Sequence, residues 1–181
     1  MGLLSNFKML ARYNQRMNQQ LLDVCSRLTH EQLHKNMGSF FPTVMAHWNH
    51  ILFGDVIMLN RLVANNLVSI ENSVLEQLPV PQSTGDTFAS NLEEFIPIRT
   101  LIDSIYVDVM DGFTMESGQC IVQYTTTEGQ AIQKTMGEFC QHLFNHQTHH
   151  RGQLTCLISQ LGLDFGCTDL PMIVPEGTSI E

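Results

Sequence analysis

One stretch restricts the possible folds of this chain more than any other, residues 135–162. Phe139, Leu143, Leu154, Leu157 and Leu161 fall on a single stripe at helical steps, the pattern of a helix with one face in a core. Between Leu143 and Leu154 the two places where the stripe should continue are held by His146 and His150. Thr135 and Glu138 form a capping box that opens the helix, and Gly162 supplies its stop. A helix of this length with two imidazoles on its apolar face has to pack against other helices.

Three further helical patterns supply those neighbours. Residues 3–28 carry Phe7, Leu10, Tyr13, Met17, Leu21 and Val24 at spacings of three and four, with Asn14, Gln15 and Asn18 on the wetter side. Thr29 and Gln32 fit a capping box for a short turn over residues 30–35, and Gly38 breaks the chain. The next helix is expected from Pro42, in its first turn, to about Ala64, apolar almost all round and so buried between neighbours. Residues 65–86, punctuated by Pro79, Pro81 and Gly85, read as a long connection, a kind of segment that commonly covers a site. Residues 87–110 form the third long helix, with Phe88, Leu92, Phe95, Ile98, Leu101, Ile102 and Ile105 on its stripe; Asp111 and Gly112 end it. Residues 119–135, rich in threonine and β-branched residues around Thr127-Glu128-Gly129, read as a small β-hairpin. The tail, residues 163–181, is expected to wrap the surface. The fold expected is all-α, a four-helix bundle with one long crossover and a small β-hairpin before the last helix, in one domain spanning residues 1–181.

Composition narrows the function classes. With 43% hydrophobic and 15% charged residues the chain is globular rather than disordered. A formal net charge of −9 and the lack of a Lys/Arg run argue against a surface that tracks nucleic-acid phosphates. The most apolar segment, residues 44–62, is interrupted by His47, His50, Asp55 and Arg61 and reads as a buried helix, not a membrane span. The N-terminus shows neither a signal-peptide pattern nor the acylation pattern, since Asn stands at position 6. Cys25, Cys120, Cys140, Cys156 and Cys167 are odd in number and form no C-x-x-C pair. They read as reduced thiols, mostly small buried hydrophobes, in a cytoplasmic protein.

The chemistry lies with the histidines. His146 and His150 are four apart and point inward together, about 6 Å apart along the axis at ~1.5 Å per residue. Two buried neutral imidazoles need partners. A shared cation or a hydrogen-bonded pair both meet that need, and the spacing leaves the two open. His142 and His149 sit on the helix flank. His47 and His50, three apart on the second helix, are both candidates for a third ligand; the uniformly apolar pattern there does not choose between them. His30 and His34 lie in a short polar segment and read as solvated. Gly152 suggests close approach of a helix or ligand, and Arg151 either a fork for a substrate carboxylate or a surface ion pair.

The stretch H-L-F-N-H-Q-T-H-H-R-G-Q-L-T-C-L-I-S-Q-L-G, with D-L-P at residues 169–171, resembles the DinB family of DinB/YfiT-like metalloenzymes. W-N-H-I-L-F-G-D-V-I-M-L-N-R-L on the second helix and Y-N-Q-R-M-N-Q-Q-L-L on the first are similar to it too, so the resemblance covers nearly the whole chain. It implies a divalent metal held by three histidines, one from the second helix and two from the fourth. The matching positions are His50, His146 and His150; His47 becomes a group that supports a ligand, and His149 is not carried over. Val56 and Met58 stand where relatives often have Arg and Trp, which alters the pocket and not the ligand set. The resemblance further implies a homodimer and a metal-dependent enzyme of small-molecule chemistry, thiol-dependent S-transferase-like, using a low-molecular-weight thiol. Zinc or nickel is the expected metal, and iron or manganese also suits three imidazoles. The alternative is a metal- or ligand-binding stress-response protein without turnover.

Overall fold

The computed structural model describes residues 3–126 and 128–176. The N-terminal acylation position, Thr127 of the hairpin turn and the last five residues of the tail lie outside the described residues. In chain order the elements are α1 (Leu3–Cys25), α2 (His30–Leu33), α3 (Val44–Ala64), α4 (Asn72–Leu75), α5 (Leu92–Asp111), α6 (Met115–Gln119), β1 (Ile121–Thr125), β2 (Ala131–Thr135), α7 (Met136–Gln160) and α8 (Leu170–Ile173). The four long helices α1, α3, α5 and α7 are the bundle. α1 packs against α5 and α7, and α3 packs against the same two, which closes the ring. Phe7, Met17, Leu21, Trp48, Ile51, Phe95 and Phe139 are fully buried at its centre. Each such side chain contributes roughly 1.5–3 kcal/mol by leaving water.

Local chemistry sets the element ends. The Thr29–Gln32 and Thr135–Glu138 capping boxes both form, so α2 and α7 start where their hydroxyls accept the first free amides. Thr135 also closes the hairpin, pairing with Ile121 while Tyr124 pairs with Ile132. Tyr124 lies edge-on to Phe139 and under the Arg61 guanidinium, which pins the hairpin to α7 and α3. Gly162 takes a φ of +82° just past α7, a conformation that glycine adopts without the Cβ penalty.

Two helix starts differ from the sequence reading. α3 begins at Val44, capped by the Thr43 hydroxyl, so Pro42 stands before the helix and not in its first turn. α5 begins at Leu92, capped by Asn91, and residues 87–90 belong to the crossover. At α5 the cause is a tertiary contact. The buried Asn49 side chain accepts the Phe88 and Ala89 amides (2.7 and 3.1 Å) and donates to the Ala89 carbonyl (2.9 Å). Those backbone groups are taken up by α3 before a helix can use them.

The tail up to residue 176 does wrap the surface, along α1. Tyr13 donates to the Thr168 carbonyl, Gln20 to the Phe165 and Cys167 carbonyls, and Arg16 pairs with Glu176. All five cysteines are free, but only Cys25 and Cys140 are buried, their thiols pushed up to about 11 and about 12 by desolvation; Cys156 and Cys167 are exposed and Cys120 is half-buried. No helix among the described residues is long and apolar enough to cross a membrane.

Candidate metal centre

α3 and α7 lie side by side and bring His50, His146 and His150 together, half-buried, with one ligand atom from each within 4.8 Å of the others. His50 Nε2 and His150 Nε2 are 3.1 Å apart. Ring centroids lie 4.4 Å apart for His146–His150 and for His50–His150, and 5.3 Å for His50–His146. Two nitrogens held at ~2.1 Å from one cation, with an angle of about 95–110° between them, stand roughly 3.1–3.4 Å apart. The observed separation fits that arrangement.

The electrostatics favour neutral imidazoles. Burial, with His150 beside it, holds the His50 pKa down to about 4. Burial also takes His146 down to about 3, helped by His150 and His50. At neutral pH both rings keep a lone pair for a ligand. A simple hydrogen-bonded pair does not satisfy the cluster. One ring can donate to another across 3.1 Å, yet His50 Nδ1 and His146 Nδ1 are buried without a hydrogen-bond partner among the described residues. The third imidazole then has no share in the bond, whereas one cation would engage all three rings. The cluster therefore has the donor chemistry to hold a divalent metal ion with open coordination positions.

Phe41, from the α2–α3 connection, stacks on the His50 ring at 3.9 Å and meets His150 edge-on. The crossover reaches the neighbourhood less directly, through Phe88 stacked on Phe53. A surface hollow of about 370 Å³ lined by Leu67, Ile70, Val74, Ile105 and Val109 lies at the other end of α3 from His50 and has no part in the cluster.

The remaining histidines separate clearly. His47 is buried, with Nδ1 on the Thr43 carbonyl of its own helix rather than on a cluster imidazole. His142 and His149 are exposed on the α7 flank, and His30 and His34 stack on each other in solvent.

The glycine with steric meaning is Gly54, one turn beyond His50 on α3. A Cβ there would stand 2.5 Å from His146 Cε1. Gly152, expected to mark a close approach, faces solvent, and a Cβ there would meet nothing within 4 Å. Gly54→Ala is expected to push the His146 ring out of place and weaken metal binding by roughly 10–100-fold, as when a ligand loses its support. Helix propensity favours alanine by about 1 kcal/mol, so the variant stays folded. Titration with Zn²⁺ beside a urea unfolding curve reads the two effects separately. Wild-type affinity in this variant would refute the steric role.

Sequence reasoning missed a second feature, a polar network buried between all four long helices. Arg99 of α5 forks onto Asp103 (3.1 and 2.8 Å) and donates to Asp55 of α3. Asn18 of α1 donates to Asp103 (2.9 Å), and Gln147 of α7 donates to Asp55 (2.6 Å). Arg151 donates to Gln147 (2.8 Å) and to Asn14. Arg151 therefore neither meets a substrate carboxylate nor forms a surface pair, and Asn14 and Asn18, placed on the wet side, are buried. Two carboxylates face two guanidiniums, so the buried charges balance. Burial still raises the Asp55 pKa against the pull of Arg99 and lowers that of Arg151, and each group faces an opposite charge. The available signal was a set of polar pairs four apart beside apolar stripes: Asn14/Asn18, Arg99/Asp103 and Gln147/Arg151.

Fold and site together define a helical bundle carrying a three-histidine cluster between two adjacent helices. The chain belongs to the DinB family, whose model matches residues 4–175. It is 24% identical over 160 residues to "Protein DinB" of Bacillus subtilis (strain 168), a match covering 88% of each chain. Its fold is similar to the crystal structure of a DinB-like protein from Bacillus cereus ATCC 10987. That match has a TM-score of 0.58 at 20% identity and covers 92% of this chain and 95% of the other.

Proposed function

We propose that His50, His146 and His150 hold one divalent cation, zinc or nickel first, and that the chain is a metal-dependent enzyme of small-molecule chemistry that transfers a low-molecular-weight thiol to an electrophile. The observation that carries the metal reading is the convergence of His50 Nε2 and His150 Nε2 to 3.1 Å beside the half-buried His146 ring. A bound cation supplies positive charge that favours the thiolate form of a thiol at neutral pH. The chain's own residues present three neutral nitrogens from two rigid helices and leave room for other ligands. Phe41 shields one face of His50 from water and gives an apolar wall against which the electrophile can lie. Iron and manganese are also compatible with three imidazoles. The family match over residues 4–175 supports a single domain. A homodimer and a cytoplasmic location belong to the same reading.

One observation favours a second reading, a metal- or ligand-binding protein of the stress response without turnover. Asp55, the carboxylate five residues beyond His50, points into the buried network and is not free to act as a base at the cluster. Two measurements decide. Tag-free protein is expected to carry about one equivalent of divalent metal; less than about half an equivalent, with no stabilisation by added Zn²⁺ or Ni²⁺, would refute the metal site. The metal-loaded protein is then screened for conjugation of glutathione and bacterial thiols to electrophiles. Conjugation supports the enzyme, and its absence with every thiol tested favours the binding role.

A further inference from the structure

We propose that Gln153 is the positioning residue for His150, holding its ring in the tautomer with the proton on Nδ1 so that Nε2 is the nitrogen presented to the cluster. Gln153 lies three residues beyond His150 on α7, about one turn on, and its side chain reaches back along the helix. Its Oε1 is 2.8 Å from His150 Nδ1. An amide oxygen only accepts, so the ring nitrogen donates. A neutral imidazole has one N–H. With that proton on Nδ1, Nε2 keeps its lone pair, and Nε2 is the atom 3.1 Å from His50 Nε2. The opposite tautomer would aim an N–H into the cluster and remove a ligand.

The brace is particular to one ring. His50 Nδ1 and His146 Nδ1 have no hydrogen-bond partner among the described residues, whereas His150 Nδ1 has one. Packing restrains the other two, with Phe41 stacked on His50 and the bare backbone of Gly54 against His146. His150 lies beside the exposed His149, and a hydrogen bond does there what packing does for the other two rings. An acceptor behind a metal-bound histidine both orients the ring and raises its basicity. The consequence for metal binding rests on the ligand set proposed above; the tautomer assignment does not.

The test uses the full chain, metal-free and then with Zn²⁺ alone. Long-range ¹H–¹⁵N NMR of the metal-free protein is expected to show His150 protonated on Nδ1. Gln153→Leu and Gln153→Ala are expected to mix the tautomers and to weaken Zn²⁺ binding by roughly 10–100-fold. Gln153→Glu, whose carboxylate also accepts, is expected to restore both. A helix-packing role for Gln153 would shift unfolding without moving the tautomer, so circular dichroism and urea unfolding are run alongside. Wild-type protein with the proton on Nε2, or a Gln153→Leu variant with unchanged tautomer and unchanged Zn²⁺ affinity, would overturn the proposal. Should the wild type bind no Zn²⁺ yet show a Gln153-dependent Nδ1–H tautomer, the ligand reading fails and the positioning role stands.

Discussion

Zn²⁺ at about a hundred times its Kd is expected to raise the Tm of the wild-type chain by roughly 5–10 °C, and that of His146→Ala by less than about 1 °C. A ligand that binds only the folded state at that excess stabilises it by about 2.7 kcal/mol. In a domain of this size each kcal/mol moves Tm by about 2–4 °C. His146 is the informative position because its ring packs against the bare backbone of Gly54 and its Nδ1 has no protein partner among the described residues. If the ring were only a packing element, its removal would lower the Tm of the metal-free protein and leave the response to Zn²⁺ intact. If it is a ligand, the response collapses. Differential scanning fluorimetry with and without Zn²⁺, checked by isothermal titration, separates the two. A His146→Ala variant with the full wild-type shift would show that the cluster is not the metal site.

Arg99→Met is expected to cost about 3–5 kcal/mol, the range for breaking a buried ion pair from one side. Its guanidinium touches both Asp55 and Asp103, and all three side chains are almost wholly out of water. Taking away the cation leaves two carboxylates in the interior with only Asn18, Gln147 and the Arg151 side of the network to face them. Urea unfolding is the measurement, and the wild-type slope should be kept so that the change is one of stability. Replacing Asp55 by Leu in the Arg99→Met background should recover part of the loss, because it removes one uncompensated carboxylate and leaves Asp103 to balance Arg151. A loss below about 1 kcal/mol in Arg99→Met would mean that the network is solvated and contributes little.

Much of the bundle is legible in single-chain periodicity. The Thr135–Glu138 and Thr29–Gln32 boxes, the Gly162 stop and the apolar stripes are local, set by residues three and four apart on the same helix. The inward pair His146 and His150 is local in the same sense, since one helix carries both. Gly152 misled because a helical glycine looks the same in sequence whether a neighbour or solvent lies beside it; Gly54, inside an apolar run, gave no sign of the imidazole against it. Pro42 misled as a helix start because the Thr43 hydroxyl caps the helix by accepting the Ala46 amide, and Thr87 because Asn49 takes the Phe88 and Ala89 amides.

The sequence by itself determined the helices, their caps and the pair of imidazoles on one face of α7, because each depends on neighbours within one or two turns. Only the tertiary structure decided which partner α7 faces. On an α3 that is apolar all round, His47 and His50 are equivalent in pattern, and the packing of α3 against α7 turns His50 into the cluster and His47 onto its own helix's carbonyl. The packing of all four long helices buries Asn14, Asn18, Asp55, Arg99, Asp103, Gln147 and Arg151 in one network. Polar side chains can be buried when partners from other helices satisfy them, and those partners lie up to 137 positions away in sequence.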